Sequence, residues 1–203
     1  MSREMPERGA LRALPAPRRR GPLRLEEAIA ARRSVREFGD EPLTERELSQ
    51  LLWAAQGVTD EEEGLRAAPS AGALYPLELY VATKSALYHY EAERHALAVT
   101  RAGDLRPAMC RSSLDQSAVR EGPAVFVIAA VYARTAQKYG VELSRRYVDM
   151  ELGHAAQNLL LQAVALNLGG VVIGAFHEDR IRSALGLPEH EEPRYLIPVG
   201  APR

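Results

Sequence analysis

"DMELGHAAQNLLLQAVALNL" occupies Asp149–Leu168, and its reading decides how the rest of the chain is arranged. The spacing predicts a long helix that is apolar nearly all round and is ended by Gly169 and Gly170. Such a helix belongs at the centre of a molecule. Its amides, Gln157 and Asn158, then need partners, so they either bond backbone or point into a cavity.

On the C-terminal side, "VVIGAF" reads as a short strand. "EDRIRSALG" reads as a short helix, and "RYLIPVG" as a final strand. On the N-terminal side, Pro123–Tyr132 is a continuous apolar, β-prone run, expected to be a strand buried on both faces. Leu77–Thr83 alternates like a strand, and Ala86–Glu91 with Ala96–Thr100 form a hairpin around "EAERH". "LTERELSQLLWAAQG" is a helix: Thr44 and Glu47 make a capping box, and Gly57 ends it. Leu25–Arg33 reads as a short helix, and "VTDEEEGLRA" as an exposed acidic loop. Strands and helices do not alternate strictly. The fold class is therefore α+β with a mixed sheet, rather than doubly wound.

The chain has 203 residues, enough for one domain with its own core. Residues 25–203 are read as that domain, and residues 1–24, rich in Arg and Pro, as an extended or mobile arm. The formal net charge of -1 selects neither nucleic acid nor an anionic membrane. Arg18–Arg20 lack the aromatic residues or fold motif that a nucleic-acid contact would bring. No apolar run spans a bilayer, and the N-terminus lacks the apolar centre of a signal peptide. One cysteine, Cys110, excludes an internal disulfide, so a cytoplasmic location is expected.

"ARRSVREF" carries the densest chemistry. Arg32, Arg33, Ser34 and Arg36 put three guanidiniums and a hydroxyl where a helix is ending. Arginine binds phosphate bidentately, so the cluster reads as an anion site or, in the simpler reading, as a solvated basic turn. Glycine-rich dinucleotide loops and Walker-type loops are absent. No metal is expected, because no histidine pairs with another His or Cys at ligand spacing. His154 reads as a hydrogen-bonded core residue, and Cys110 as packing. In "QKYGVELSRRY", Lys138 and Tyr139 can serve as general acid or base, or merely line a polar connection. In "RAAPSAGALYPLELYV", four small residues, Ser70 to Ala73, follow Pro69. They suit either a tight turn or bare backbone against which something flat can lie.

Taken in order, these segments resemble the flavin-dependent nitroreductase superfamily: "RRSVREF", "LSQLLWAAQG", "PSAGALYPLELYV", "LYHYEAERHAL", "KYG", "GHAAQNLLLQAVALNLGG", "VIGAF" and "LIPVG". The likeness is closest to its SagB-type dehydrogenase branch, which includes thiazoline and oxazoline oxidases. The resemblance implies a nitroreductase-like α+β fold, with a mainly antiparallel sheet flanked by helices. It also implies an intertwined homodimer with FMN at the subunit interface.

By the same resemblance, Arg32, Arg33, Ser34 and Arg36 hold the FMN phosphate, ribityl chain and pyrimidine edge. Pro69, Ser70 and Ala71 reach the flavin from the other subunit, with Gly72 allowing close approach. Ile173, Gly174 and Ala175 place backbone beside the ring. Lys138 and Tyr139 match the Lys-Tyr pair of azoline oxidases, which takes part in proton abstraction. A basic residue beyond the "PVG" strand clamps the phosphate in many relatives, and only Arg203 stands there here.

No counterpart is expected here for the peptide-binding domain that precedes the flavin domain in many azoline oxidases. The expected function is FMN-dependent oxidation of a small organic substrate. NAD(P)H-dependent reduction of a nitroaromatic or quinone, with NAD(P)H as a transient donor, is the alternative. A flavin-binding protein without turnover is a third reading.

Overall fold

The computed structural model describes Gly9 and residues 11–203. In chain order the elements are β1 (Leu11–Ala13), α1 (Leu25–Ala31), α2 (Glu45–Gln56), β2 (Val58–Asp60) and β3 (Leu65–Arg66). Then come β4 (Leu77–Thr83), β5 (Ala86–Glu91), β6 (Ala96–Ala102), α3 (Arg106–Ser112), α4 (Ser117–Glu121) and β7 (Ala124–Ala130). The chain ends with α5 (Tyr132–Tyr139), α6 (Val141–Ala165), β8 (Gly169–Gly170), α7 (Glu178–Leu185) and β9 (Glu192–Gly200).

The main sheet has seven strands in the order β1-β6-β5-β4-β7-β9-β8, and every pair of named strands is antiparallel. A single parallel bridge, Ser34 to Gly170, adds the segment after α1 to the β8 edge. β7 lies between β4 and β9 and is buried at every position. Its alternate residues feed two separate cores, as a period of two requires. Phe126 and Ile128 pack on α2 and α6 with Leu51, Leu52, Leu152 and Leu159. Val125 and Val127 pack on α3, α4 and α7 with Met109, Val119, Ile181 and Leu185. The architecture is the expected α+β sheet flanked by helices.

Several elements differ from expectation. The acidic stretch forms a small hairpin, β2–β3, whose turn is held by Asp60 Oδ1 accepting from the Glu62 and Glu63 amides at 3.0 Å. Helix α6 starts eight residues before Asp149, because Gly140 separates it from α5. With φ 79° and ψ 165°, Gly140 occupies backbone space essentially reserved for glycine. Nor is α6 apolar all round in its packing. Val141, Leu143 and Met150 are 73%, 43% and 50% exposed, and His154, expected in the core, faces outward. Helices α3 and α4 carry no sequence signal strong enough to have been anticipated.

The expected capping box is present: Thr44 Oγ1 accepts from the Glu47 amide at 3.3 Å, and Glu47 Oε2 accepts from the Thr44 amide at 2.6 Å. Within the arm, Leu11–Ala13 pair with Ala98–Ala96. The Gln50 side-chain amide then accepts from the Arg18 N–H at 2.8 Å and donates to its carbonyl at 3.0 Å. His95 Nε2 donates to the Pro15 carbonyl at 3.1 Å, so Nδ1 must accept from Tyr90 Oη at 2.8 Å. Burial holds His95 below its usual range, in keeping with that neutral tautomer.

Candidate active site

The site residues read from the sequence fall into two clusters. The first lies along the β8–β9 edge. Beyond α1 the chain turns extended at Arg32, and Val35 N–H donates to the Gly170 carbonyl at 3.1 Å. Arg33 folds back on the Ala30 and Arg32 carbonyls at 2.9 and 2.7 Å. Among the described residues, Arg32, Arg33 and Arg36 have no carboxylate partner, and Arg33, Ser34 and Arg36 are exposed.

Arg203 comes back to this segment. Its amide donates to the Glu37 carbonyl at 3.3 Å, and its guanidinium lies 3.4 Å from Asp40. Ile173 exchanges two backbone hydrogen bonds with Leu196, at 2.8 and 3.0 Å, which fixes Gly174 and Ala175 beside that edge. The Ala175 carbonyl accepts from Gln116 Nε2 at 3.0 Å. A Cβ at Gly174 would meet nothing closer than Tyr195 at 3.7 Å, ordinary contact. The protein's own packing therefore does not require glycine there. The position presents bare backbone to whatever lies in front of it.

The second cluster is the turn after Pro69. Three of four consecutive residues are left-handed: Gly72 (φ 65°), Ala73 (φ 54°) and Tyr75 (φ 46°). Ala73 and Tyr75 carry a Cβ in a conformation that disfavours one, so the surroundings must over-determine the turn. Three hydrogen bonds and a stacked cation do so. Tyr75 N–H donates to Ser70 Oγ at 2.9 Å, Arg134 donates to the Tyr75 carbonyl at 3.0 Å, and the Arg66 amide donates to Tyr75 Oη at 3.1 Å. The Arg66 guanidinium lies 4.7 Å from the centre of the Tyr75 ring.

Lys138 and Tyr139 close over this turn. A Cβ added to Gly72 would sit 2.8 Å from Tyr139 Oη and 2.9 Å from Lys138 Nζ. Only glycine permits that approach. Tyr139 in turn packs edge-on against Tyr147 at 5.1 Å between ring centres. The structure thus brings Lys138, Tyr139, Ser70, Ala71 and Gly72 together in one chain.

Among the described residues no hydrogen bond or ion pair joins them to the arginine cluster. Asn158 Nδ2 of α6 donates to the Ala67 carbonyl just before the turn at 3.3 Å, and Gly170, bonded to the arginine segment, lies against Leu160 of the same helix.

Sequence reasoning missed the buried polar groups behind the turn. Glu151 is 2% exposed, and burial pushes its carboxyl up to about 7 against the opposing influence of Ser70, Gln56 and Arg66. Glu78 accepts from His89 at 2.7 Å and from Arg134. Burial works to raise its carboxyl, but these partners outweigh it and leave it below the usual range. Tyr80 donates to Glu191 at 2.6 Å, and burial together with that carboxylate holds the phenol above its usual range.

A cavity of about 290 Å³ lies behind this region, lined by Gln56, Arg66, Glu78, His89, Arg94 and Arg134 among others. Only chain-distant pairing assembles these groups, so no local motif announces them. Among the described residues no three His, Cys, Asp or Glu converge as a metal would need, and no helix is long and apolar enough to cross a membrane.

Comparison with known proteins bears on the whole chain. The model of the nitroreductase family matches residues 29–201. A Methanocaldococcus jannaschii protein that carries a nitroreductase name is 44% identical over 184 residues, covering 88% of this chain and 91% of that protein. A crystal structure from Ralstonia eutropha, also named as a nitroreductase, superposes with a TM-score of 0.87 at 31% identity. It covers 99% of this chain and 96% of its own. TfxC, a trifolitoxin operon protein of Rhizobium leguminosarum bv. trifolii, is 24% identical over 194 residues, covering 86% of this chain and 54% of TfxC.

Proposed function

Because this chain belongs to the nitroreductase family, and so is an oxidoreductase of the nitroreductase fold, we propose that it is an FMN-dependent enzyme that oxidises a small organic substrate. The residues present fit that cofactor. Three guanidiniums free of carboxylates suit a phosphate of nearly two negative charges. The bare backbone at Gly174 suits a flat ring. When bound, FMN supplies the site's two-electron acceptor and donor.

Arg32, Arg33, Ser34 and Arg36 bind its polar end, and Arg203 stands within reach of the same segment. Ile173, Gly174 and Ala175 wall the ring. Pro69, Ser70, Ala71 and Gly72 come from a second copy of the chain. The exposed apolar face of α6 and α1, with Leu143, Met150, Leu25 and Ile29, supports that reading. The working unit is a homodimer.

Lys138 and Tyr139 remove the proton that accompanies oxidation. The observation that carries this is their contact with Gly72, which seats two titratable groups on the turn that faces the ring. Lys138 Nζ lies 5.6 Å from the centre of the Tyr139 ring, within reach of a cation–π contact. The SagB-type branch is supported by this pair and by the likeness to TfxC. A cytoplasmic location suits the single cysteine.

The nitroreductase names of the M. jannaschii and R. eutropha relatives favour a second reading, in which NAD(P)H is the donor and a nitroaromatic or quinone the acceptor. That chemistry needs no base from Lys138 or Tyr139. Purified protein should be yellow and carry FMN. In the leading reading, NADPH leaves the colour unchanged without oxygen, and Lys138→Ala and Tyr139→Phe slow turnover by ~10²-fold or more. Rapid anaerobic bleaching by NADPH, with both variants unaffected, selects the reductase instead. A colourless protein that takes up no FMN ends both readings.

A further inference from the structure

Strands β4 and β5 part just after the turn. β4 pairs with β7 along all seven of its residues, whereas its pairing with β5 spans Tyr80–Ala82. β5 stays paired with β6 as far as Glu91. The cavity of about 290 Å³ lies in this wedge, with Leu77–Leu79 on one wall and His89–Ala92 on the other.

Arg134, in the first turn of α5, lines the same cavity. Its Nη1 donates to the Tyr75 carbonyl at 3.0 Å, and its Nη2 donates to Glu78 Oε1. Glu78 Oε2 accepts from His89 Nε2 at 2.7 Å. One guanidinium thus joins α5 to the turn and to β4, and one carboxylate joins β4 to β5. The Glu78 side chain is 15% exposed, so it depends on its two partners in place of water.

The bond to Tyr75 bears on a strained residue. Tyr75 is left-handed at φ 46°, and its own N–H donates to Ser70 Oγ. Arg66 stacks on its ring, while Arg134 holds its carbonyl. A strained conformation persists only while its surroundings fix it. Four residues beyond Arg134, on the same side of α5, Lys138 lies against Gly72. Helix α5 therefore grips the turn twice, at Tyr75 and at Gly72.

We propose that Arg134, braced by Glu78 and His89, is a positioning residue that fixes the turn from Pro69 to Tyr75 relative to Lys138 and Tyr139. It acts through the Tyr75 carbonyl. Without it, Tyr75 relaxes from its left-handed angle, Ser70 loses the amide it accepts from, and Ala71 and Gly72 shift against Lys138. The consequence for flavin rests on the FMN reading above; the hold on the turn does not.

The test is hydrogen exchange in the protein as purified, comparing the peptide spanning residues 67–76 with one spanning β7. Arg134→Ala should speed exchange in the first about tenfold and leave the second unchanged. The cavity gives solutes access to this position. Millimolar guanidinium chloride should therefore restore protection, and sodium chloride at the same concentration should not. Arg134→Met, which fills the space without a donor, should lose protection as far and gain nothing from guanidinium. Adding Glu78→Gln to Arg134→Ala should bring no further loss, because Glu78 acts through Arg134. Bound flavin is recorded separately: its absorbance band should move in Arg134→Ala and return with guanidinium.

Wild-type exchange at residues 67–76 in either Arg134 variant would overturn the proposal. So would faster exchange in β7 as well, or protection that guanidinium fails to restore in Arg134→Ala, since either makes Arg134 a general contributor to stability. A further loss in the double variant would overturn the brace. Should the peptide respond as expected while the wild type carries no flavin, the FMN reading falls and the positioning role stands.

Discussion

Ala73 is an alanine held where glycine is usually required, at φ 54°. A left-handed L-residue costs about 1–2 kcal/mol. Ala73→Gly should therefore stabilise the fold by about 1 kcal/mol after allowing for the added freedom of the unfolded chain. Urea denaturation measures this, and a loss of stability would show that the Ala73 methyl makes a contact that matters more than its backbone.

Glu151 gives a second expectation at this scale. Its carboxyl lies above the unfolded value, so the native state binds more protons than the unfolded one between about pH 4.5 and 7. This group therefore contributes a stability that falls as pH rises through that window, by about 3 kcal/mol in total, and stays lost above it. Glu151→Gln should flatten the profile, as pH-dependent chemical denaturation would report.

Neither residue could be read in advance. An alanine gives no sign of its φ, and a glutamate in an apolar helix has no sequence mark saying which way it faces. His154 makes the point in reverse: placed in the core by its apolar neighbours, it lies on the open side of α6.

Elements were legible where the signal was local and strong. The α2 capping box, the alternation of β4 and the all-buried run of β7 each follow from a few adjacent residues. Helices α3 and α4 are only seven and five residues long, too short to show a period. The start of α6 was hidden because Val141–Val148 is polar and aromatic rather than periodic. What sets it is Gly140, whose backbone angles separate two helices that would otherwise run on. Gly140→Ala should cost about 1–3 kcal/mol and shift Lys138 and Tyr139 off Gly72. Thermal unfolding and turnover should suffer together. Normal turnover with lowered stability would mean that the pair tolerates a displaced helix end.

At the scale of the whole molecule, both clusters of the candidate site lie against one helix, α6. Its apolar outer face, with Met150 half exposed, is left uncovered in a single chain. Met150→Glu should shift sedimentation from two copies to one and release FMN while the far-ultraviolet spectrum is kept. A monomer that still holds FMN would place both halves of the site in a single chain. The division between two copies of the chain was an expectation of the family resemblance, not of any local motif, because no short stretch of sequence states which residues meet across a subunit boundary.

The sheet has two ends of very different kinds. At one end Ser34 closes over β8. At the other, among the described residues, the three residues of β1, Leu11–Ala13, lie against β6, Gly9 N–H donates to the Val99 carbonyl at 2.8 Å, and Arg12 pairs with Glu45. Remove those three and β6, seven residues long, would offer a row of unpaired amides and carbonyls to any other chain. The Arg- and Pro-rich lead-in thus works as a guard against amyloid-like stacking. Chains cut after Ala13 should fold and then turn cloudy on concentration, a failure of colloidal behaviour rather than of chemistry.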